Sequence, residues 1–211
     1  MAFRLVASLS LVASCLVSTV GAQTSLSPTH EEQKVIVGKK APDVVALNLA
    51  GGWYDYPVER TVLLTFWSMN DADAEEDMAR LAKIRGEFSD VPNFLMITVL
   101  VEGANSDDWD KWSNYCVDKG MVTYNKGQRP VSFVSDPRWW QMFTDPGPAG
   151  RKMLKEYGID NTPQFFLLGP NRCTLASEIP KDVLQDVVAK HLAKGRPASS
   201  GRVPQSQEKS H

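Results

Sequence analysis

The sequence predicts an α/β protein in which a central mixed β-sheet is flanked by helices. Two continuous apolar runs of strand length, Val62 to Trp67 and Phe94 to Val101, are typical of strands buried on both faces. Apolar residues recur at helical spacing between these runs, which indicates a β-α-β unit. A hairpin pattern over Gln164 to Ala176 and a final amphipathic helix lead to the order β-α-β-α-β-α-β-β-α.

Helical periodicity defines the first two helices. The first has acidic residues on one side and, apart from Arg85, an apolar face on the other. The second begins near Ser106 or Asp107 and places Trp109, Trp112 and Cys116 at i, i+3 and i+7. Trp139 and Trp140 are also expected on a helix, with one in the core and the other partly exposed. The apolar face of the first helix consists of Ala74, Met78, Leu81 and Phe88.

The remaining elements follow from turn signals and short apolar runs. Val131 to Val134 is expected to form a strand that ends at Asp136 and Pro137. The hairpin turns at Gly169 to Arg172, and Pro180 begins the last helix. Trp53, Tyr54 and Tyr56, which follow two glycines, are expected to pack an N-terminal β-hairpin extension.

Composition restricts the function classes. The 211 residues suit one domain with appendages, and the net charge of −2 does not provide the positive field that nucleic-acid binding needs. Three cysteines and three histidines are scattered, and the sequence has no phosphate-binding loop or HExxH motif. We therefore predict no nucleic-acid partner, no metal site and no cofactor.

The two ends of the chain are predicted to lie outside the fold. Residues 1–22 have the basic start, apolar run and small-residue end of a signal peptide, so the chain is expected to be exported to the periplasm or secreted, without a transmembrane span after cleavage. An alternative is a lipobox ending at Cys15, which would make an envelope lipoprotein anchored there. Residues 23–37 are expected to form a flexible leader, 38–194 the domain, and 195–211 a disordered tail.

Several segments in this order resemble the thioredoxin-like thiol-disulfide oxidoreductases of the TlpA/ResA type, which are related to the AhpC/TSA proteins. They are Lys39 to Asp43, Leu47 to Gly52, the strand Val62 to Trp67, and Tyr157 to Leu168, which contains Thr162-Pro163. The resemblance runs from about Gly38 to Leu192 and implies a thioredoxin-like fold. It also implies that Pro163 is a cis-proline that faces the loop after the Trp67 strand.

The sequence departs from this family where its chemistry lies. The family carries CxxC at the start of the first helix, whereas Asp71 and Ala74 stand at those positions here. A carboxylate can cap a helix terminus but cannot exchange disulfides. We therefore expect no catalytic residue at this site and a non-catalytic module that binds an exported protein or peptide. The residues assigned to binding are Trp67, Asn70, Asp71, Thr162 and Pro163.

Other interpretations remain open from the sequence. Cys116 and Cys173 either form a disulfide or stay as separate thiols, and a redox role outside the usual site is the enzymatic alternative. Pro163 either contributes a surface for an extended peptide or only shapes the fold. The acidic residues from Asp71 to Asp77 either stabilise the helix N-terminus or bind a hard cation, and Trp139 and Trp140 either pack or form a partner surface.

Overall fold

The computed structural model describes residues 35–48, 52–53, 55–102, 106–119, 121–124 and 133–193. Within them the chain forms strands and helices in alternation, with one 3₁₀ turn at Pro170–Arg172. The strands are β1 (Ala46–Asn48), β2 (Thr61–Trp67), β3 (Phe94–Leu100), β4 (Val122–Tyr124), β5 (Phe133–Ser135), β6 (Trp139–Thr144), β7 (Gln164–Leu168) and β8 (Thr174–Ala176). The helices are α1 (Ala74–Glu87), α2 (Ser106–Asp118), α3 (Pro148–Tyr157) and α4 (Leu184–Ala193).

Six strands form one mixed sheet in the order β1-β6-β3-β2-β7-β8. The central strands β2, β3 and β6 run parallel, and β1, β7 and β8 pair antiparallel with their neighbours. Strands β4 and β5 form a separate two-stranded sheet. The mixed sheet with flanking helices agrees with the predicted class.

The alternation of side chains along the strands produces two apolar layers, one on each face of the sheet. Helices α1, α2 and α4 cover one face, and α3 covers the other. On β2, Leu63 and Trp67 face the three-helix side, while Val62, Leu64 and Phe66 face α3. Burial on both faces explains why β2 and β3 read as continuous apolar runs.

The segment with two adjacent tryptophans differs from its prediction, because Trp139–Thr144 is strand β6 and not a helix. Trp139 is buried and Trp140 is half-buried, as expected, but strand alternation produces this difference. The third helix lies later, at α3, where Pro148 begins it and Gly158 ends it in the left-handed conformation at φ 66°. The strand expected at 131–134 corresponds to β5, of which the structure describes 133–135.

Backbone pairing attaches the N-terminal segment to both edges of the sheet. Leu47 bridges Trp53, and the Asn48 N–H donates to the Gly52 carbonyl at 2.9 Å, which closes the short predicted hairpin. Residues 38–41 pair with 172–174, which end the turn and begin β8, through bonds that include Gly38 N–H to the Thr174 carbonyl at 2.8 Å. This segment therefore continues the sheet beyond β8.

The packed domain extends further toward the N-terminus than the sequence predicted. Val35, in the predicted leader, is buried against the α3 side of the core, so the packed domain begins before residue 38. Residues 1–34 and 194–211, which include the predicted signal peptide, Cys15 and the tail, lie outside the described residues. No helix of the described residues is long and apolar enough to cross a membrane.

Candidate functional site

The candidate site lies where β2 ends and the chain turns into α1. The Ser68 N–H donates to Asp71 Oδ2 at 3.3 Å, and the Ala74 N–H donates to the Asp71 carbonyl at 3.1 Å. The carboxylate of Asp71 therefore closes the turn that precedes the helix. The helix N-cap itself is Asp73, whose side chain makes no capping hydrogen bond. The sequence had suggested Asp71 for that capping role.

Asp71 also joins this turn to the loop before β7. The Thr162 hydroxyl donates to Asp71 Oδ1 at 2.9 Å, across 91 residues of sequence. The next peptide bond, Thr162–Pro163, is cis, as the resemblance implied. The Asp71 carboxylate thus links the turn before α1 to the cis-proline loop.

Glu102, directly after β3, organises the other side of the turn. Its Oε1 accepts hydrogen bonds from the Ser68 hydroxyl and from the backbone N–H and the side-chain amide of Asn70, the latter two at 3.2 Å each. Because β2 and β3 are parallel, their carboxyl ends meet at the same end of the sheet and bring these residues together. Glu102 Oε2 is buried and has no hydrogen-bond partner among the described residues.

A groove of about 420 Å³ runs beside the cis-proline. Its floor includes the buried side chains of Phe165 and Ile179. Gln164 lies in its wall, and its Nε2 donates to the Asn161 Oδ1 at 3.0 Å and to the Gly158 carbonyl at 3.3 Å. The Gln164 Oε1 is buried and has no partner among the described residues. The volume falls in the range of ligand sites, about 300–1,000 Å³.

Lys181 connects the groove to α1. Its Nζ lies 2.7 Å from Asp73 Oδ2 and 3.8 Å from Asp77 Oδ1. The hydrogen bond from Lys181 lowers the pKa of Asp73. Burial raises the pKa of Asp77, whose side chain is only 2% exposed and whose oxygens accept no hydrogen bond within the described part of the chain. The acidic residues predicted at the start of the first helix therefore include one buried carboxylate, that of Asp77.

Four of the five residues assigned to binding meet at this site, and one does not. Asn70 and Asp71 lie on the turn after β2, and Thr162 and Pro163 lie on the facing loop. Trp67 is a correction, because its side chain is 1% exposed and packs against Tyr115 at a ring distance of 5.4 Å. Strand alternation turns Trp67 into the three-helix core and away from the surface.

Four residues of the site were not predicted from the sequence: Ser68, Glu102, Gln164 and Lys181. Glu102 had an available signal, because polar residues that follow neighbouring parallel strands come together at one end of a sheet. Gln164 and Lys181 had none, since their positions depend on long-range partners, Phe66 on β2 for Gln164 and Asp73 for Lys181. Each of these four residues contacts another site residue or lines the groove.

The two cysteines of the domain are free thiols, so the suggested Cys116–Cys173 disulfide is not formed. Cys116, on α2, is fully buried, whereas Cys173 is exposed and its backbone pairs with that of Lys40 at the sheet edge. Burial raises the pKa of the Cys116 thiol to about 12, which keeps it protonated and unreactive at neutral pH. The turn before α1 contains Asp71, the helix begins at Ala74, and residues 68–74 include no cysteine.

Comparisons with known proteins concern the fold. No protein-family model matches the sequence, and no curated protein is significantly similar to it. The thioredoxin domain of a thiol-disulfide oxidoreductase from Bacteroides vulgatus superposes with a TM-score of 0.57 at 20% identity, over 75% of this chain and 99% of that one. This protein has a thioredoxin-like fold.

Two further solved structures agree. A thiol:disulfide interchange protein from a Bacteroides species has a TM-score of 0.56 at 21% identity, over 75% of this chain and 91% of that one. A thiol-disulfide oxidoreductase from Bacteroides fragilis has a TM-score of 0.55 at 21% identity, over 72% of this chain and 99% of that one. At these identities the similarity establishes the architecture.

Proposed function

We propose that this thioredoxin-like domain is a non-catalytic module that binds an extended protein or peptide segment at the cis-proline loop. The observation that carries the proposal is the contact between Asp71 and Thr162. A carboxylate stands at the turn before α1 and binds the residue that precedes Pro163. The surface around the loop is thus held in place by a group that cannot exchange disulfides.

The chemistry of the thiols supports the absence of catalysis. Disulfide exchange needs an accessible thiolate and a second thiol to resolve the mixed disulfide. Cys116 is buried and protonated. Cys173 follows the turn after β7, while Pro163 precedes β7, so the five-residue strand separates them by about 17 Å along the sheet.

The backbone of Thr162 supports a binding role. Within the described part of the chain its N–H and C=O make no hydrogen bond to other backbone groups. Strand pairing with β2 begins at Gln164, opposite Phe66. An extended segment placed beside Thr162 would supply the missing backbone partners, which is the strand-addition mode of peptide recognition.

Restoring a dithiol tests this function. In the Asp71→Cys/Ala74→Cys variant a disulfide-containing polypeptide bound at the loop would meet a thiol at the helix N-terminus. We expect the variant to reduce insulin disulfides at a rate about tenfold or more above the wild-type protein, because a thiol at position 71 lies at the helix N-terminus and a thiol at position 74 can resolve the mixed disulfide. The matched control is Glu76→Cys/Ala79→Cys, which places the same spacing on exposed positions of the same helix.

The outcome is decided by the comparison of the two variants. Circular dichroism and thiol titration first establish that both are folded and carry their new thiols. Turnover by the site variant and not by the control supports a retained binding surface. Equal turnover by the two folded variants contradicts it, because exposed dithiols alone would then explain the activity.

The enzymatic alternative now depends on Cys173, the exposed thiol. Turnover of insulin by the wild-type protein that disappears in Cys173→Ser and persists in Cys116→Ser would establish it in place of the binding module. We expect no turnover above the uncatalysed rate from the wild-type protein, because Cys173 has no second thiol beside it among the described residues.

We also propose that the protein is exported and acts on an exported partner, on the support of residues 1–22 alone. Intact mass of protein from its native compartment tests this. A mass beginning at Gln23 agrees with signal cleavage, whereas a lipid-modified mass beginning at Cys15 would assign the envelope-anchored alternative. A mass that begins at Met1 contradicts both.

A further inference from the structure

We infer that the segment bound in the groove beside Pro163 is basic, that is, an extended peptide carrying lysine or arginine side chains. This inference rests on the proposed function and names the chemical class of its ligand. Three features of the groove lead to it: the acidic residues in and beside it, the ion pair of Lys181, and its apolar floor.

Acidic residues lie in and beside the groove. Asp160 lines it and is exposed. Asp71 lies next to it, because the Thr162 hydroxyl that binds its carboxylate belongs to the residue between Asn161 and Pro163. Hydroxyl and amide donors satisfy the oxygens of Asp71 but do not neutralise its charge.

Among the described residues that line the groove, Lys181 is the single cation. Its ammonium contacts Asp73 at 2.7 Å and lies 3.8 Å from Asp77, so its charge is directed to α1. It therefore does not offset the charges of Asp71 and Asp160. A negative field remains at the groove, and such a field attracts cationic ligands and repels anionic ones.

The groove is apolar at Phe165 and Ile179, which line it. The apolar floor of Phe165 and Ile179 suits the alkyl stem of a lysine or arginine, which commonly packs on apolar surface while its head stays polar.

The test uses three fluorescein-labelled heptapeptides that alternate valine with lysine, glutamate or serine. Fluorescence anisotropy measures their affinity for the full domain at low and at physiological salt. We expect the lysine peptide to bind about tenfold more tightly than the glutamate peptide at low salt. The difference should shrink at higher salt, because the charges at the groove are partly exposed.

Charge reversal at the groove provides the second arm. Asp160→Lys is expected to weaken binding of the lysine peptide about tenfold and to strengthen binding of the glutamate peptide. Glu59→Lys is the matched control, because Glu59 is exposed and precedes β2, at the opposite end of the sheet from the groove. The control variant is expected to change either affinity less than about twofold.

Amide chemical shifts of the domain locate the bound peptide and separate the two hypotheses. Shifts at Thr162 and Gln164 that are equal for lysine, serine and glutamate peptides would keep the binding function and overturn the basic ligand. A loss of affinity in Glu59→Lys as large as in Asp160→Lys would also overturn it, since the attraction would then be non-specific. Absence of groove shifts with all three peptides overturns the proposed function itself.

Discussion

The bond between Thr162 and Asp71 predicts a measurable energetic coupling between the two halves of the site. Asp71→Ala removes two hydrogen bonds, from the Thr162 hydroxyl at 2.9 Å and from the Ser68 N–H at 3.3 Å. Hydrogen bonds to a charged group contribute about 1.5–3 kcal/mol each, and the partial exposure and length of these two reduce that figure. We expect a total loss of about 2 kcal/mol for Asp71→Ala and about 1 kcal/mol for Thr162→Val.

In the double variant the shared bond is lost only once. The coupling free energy from the cycle should therefore be about 1 kcal/mol, well above the error of about 0.3–0.5 kcal/mol typical of independent sites. Urea unfolding followed by tryptophan fluorescence measures all four proteins, and melting temperatures should fall by about 2–4 °C per kcal/mol. Additive losses within that error would refute the contact between the turn and the cis-proline loop.

Three further predictions concern stability and thiol reactivity. Burial raises the pKa of Asp77, so the native state binds a proton more tightly than the unfolded chain and loses stability as pH rises above 3.8. The free energy of unfolding of Asp77→Asn, measured in urea, should exceed that of the wild type by about 1 kcal/mol at pH 7 but not at pH 3. A gain equal at both pH values would contradict this. Iodoacetamide should label Cys173 in the native protein and Cys116 only after unfolding, by peptide mapping; native labelling of Cys116 would show that its burial is incomplete. Gly150→Ala should lose about 2–3 kcal/mol in thermal melts, because a Cβ would lie 1.9 Å from the Asp145 carbonyl oxygen; an unchanged melting temperature would refute that close approach.

The parts of the fold that periodicity alone specifies were predictable. The runs of β2 and β3 and the face of α1 follow from burial, since two-sided strands must be apolar throughout and a covered helix needs one apolar face. Strand β6 was mistaken for a helix because Trp139, Met142 and Phe143 also fit a helical spacing. In the sheet it pairs with β3, and that long-range partner is what selects the strand.

The site was predictable only where local sequence determines it. The sequence itself shows that residue 71 is an aspartate and not a cysteine, and the cis bond at Pro163 followed from the resemblance. Glu102 lies 34 residues from its partner Ser68 in the sequence, and Lys181 lies 108 residues from Asp73, so only the folded chain brings these pairs together. Trp67 is the last residue of β2, and its side chain points into the core. The direction of this side chain depends on the register of the strand, which composition does not reveal.

The pairing of residues 38–41 along β8 has a consequence for self-association. An open sheet edge offers a row of free amides and carbonyls to any other chain and is a common starting point for aggregation. On one side that segment occupies the edge, and on the other the three-residue strand β1 presents little length. The sheet therefore has few places left for adventitious polymerisation, and deletion of the segment should promote aggregation even where the domain still folds.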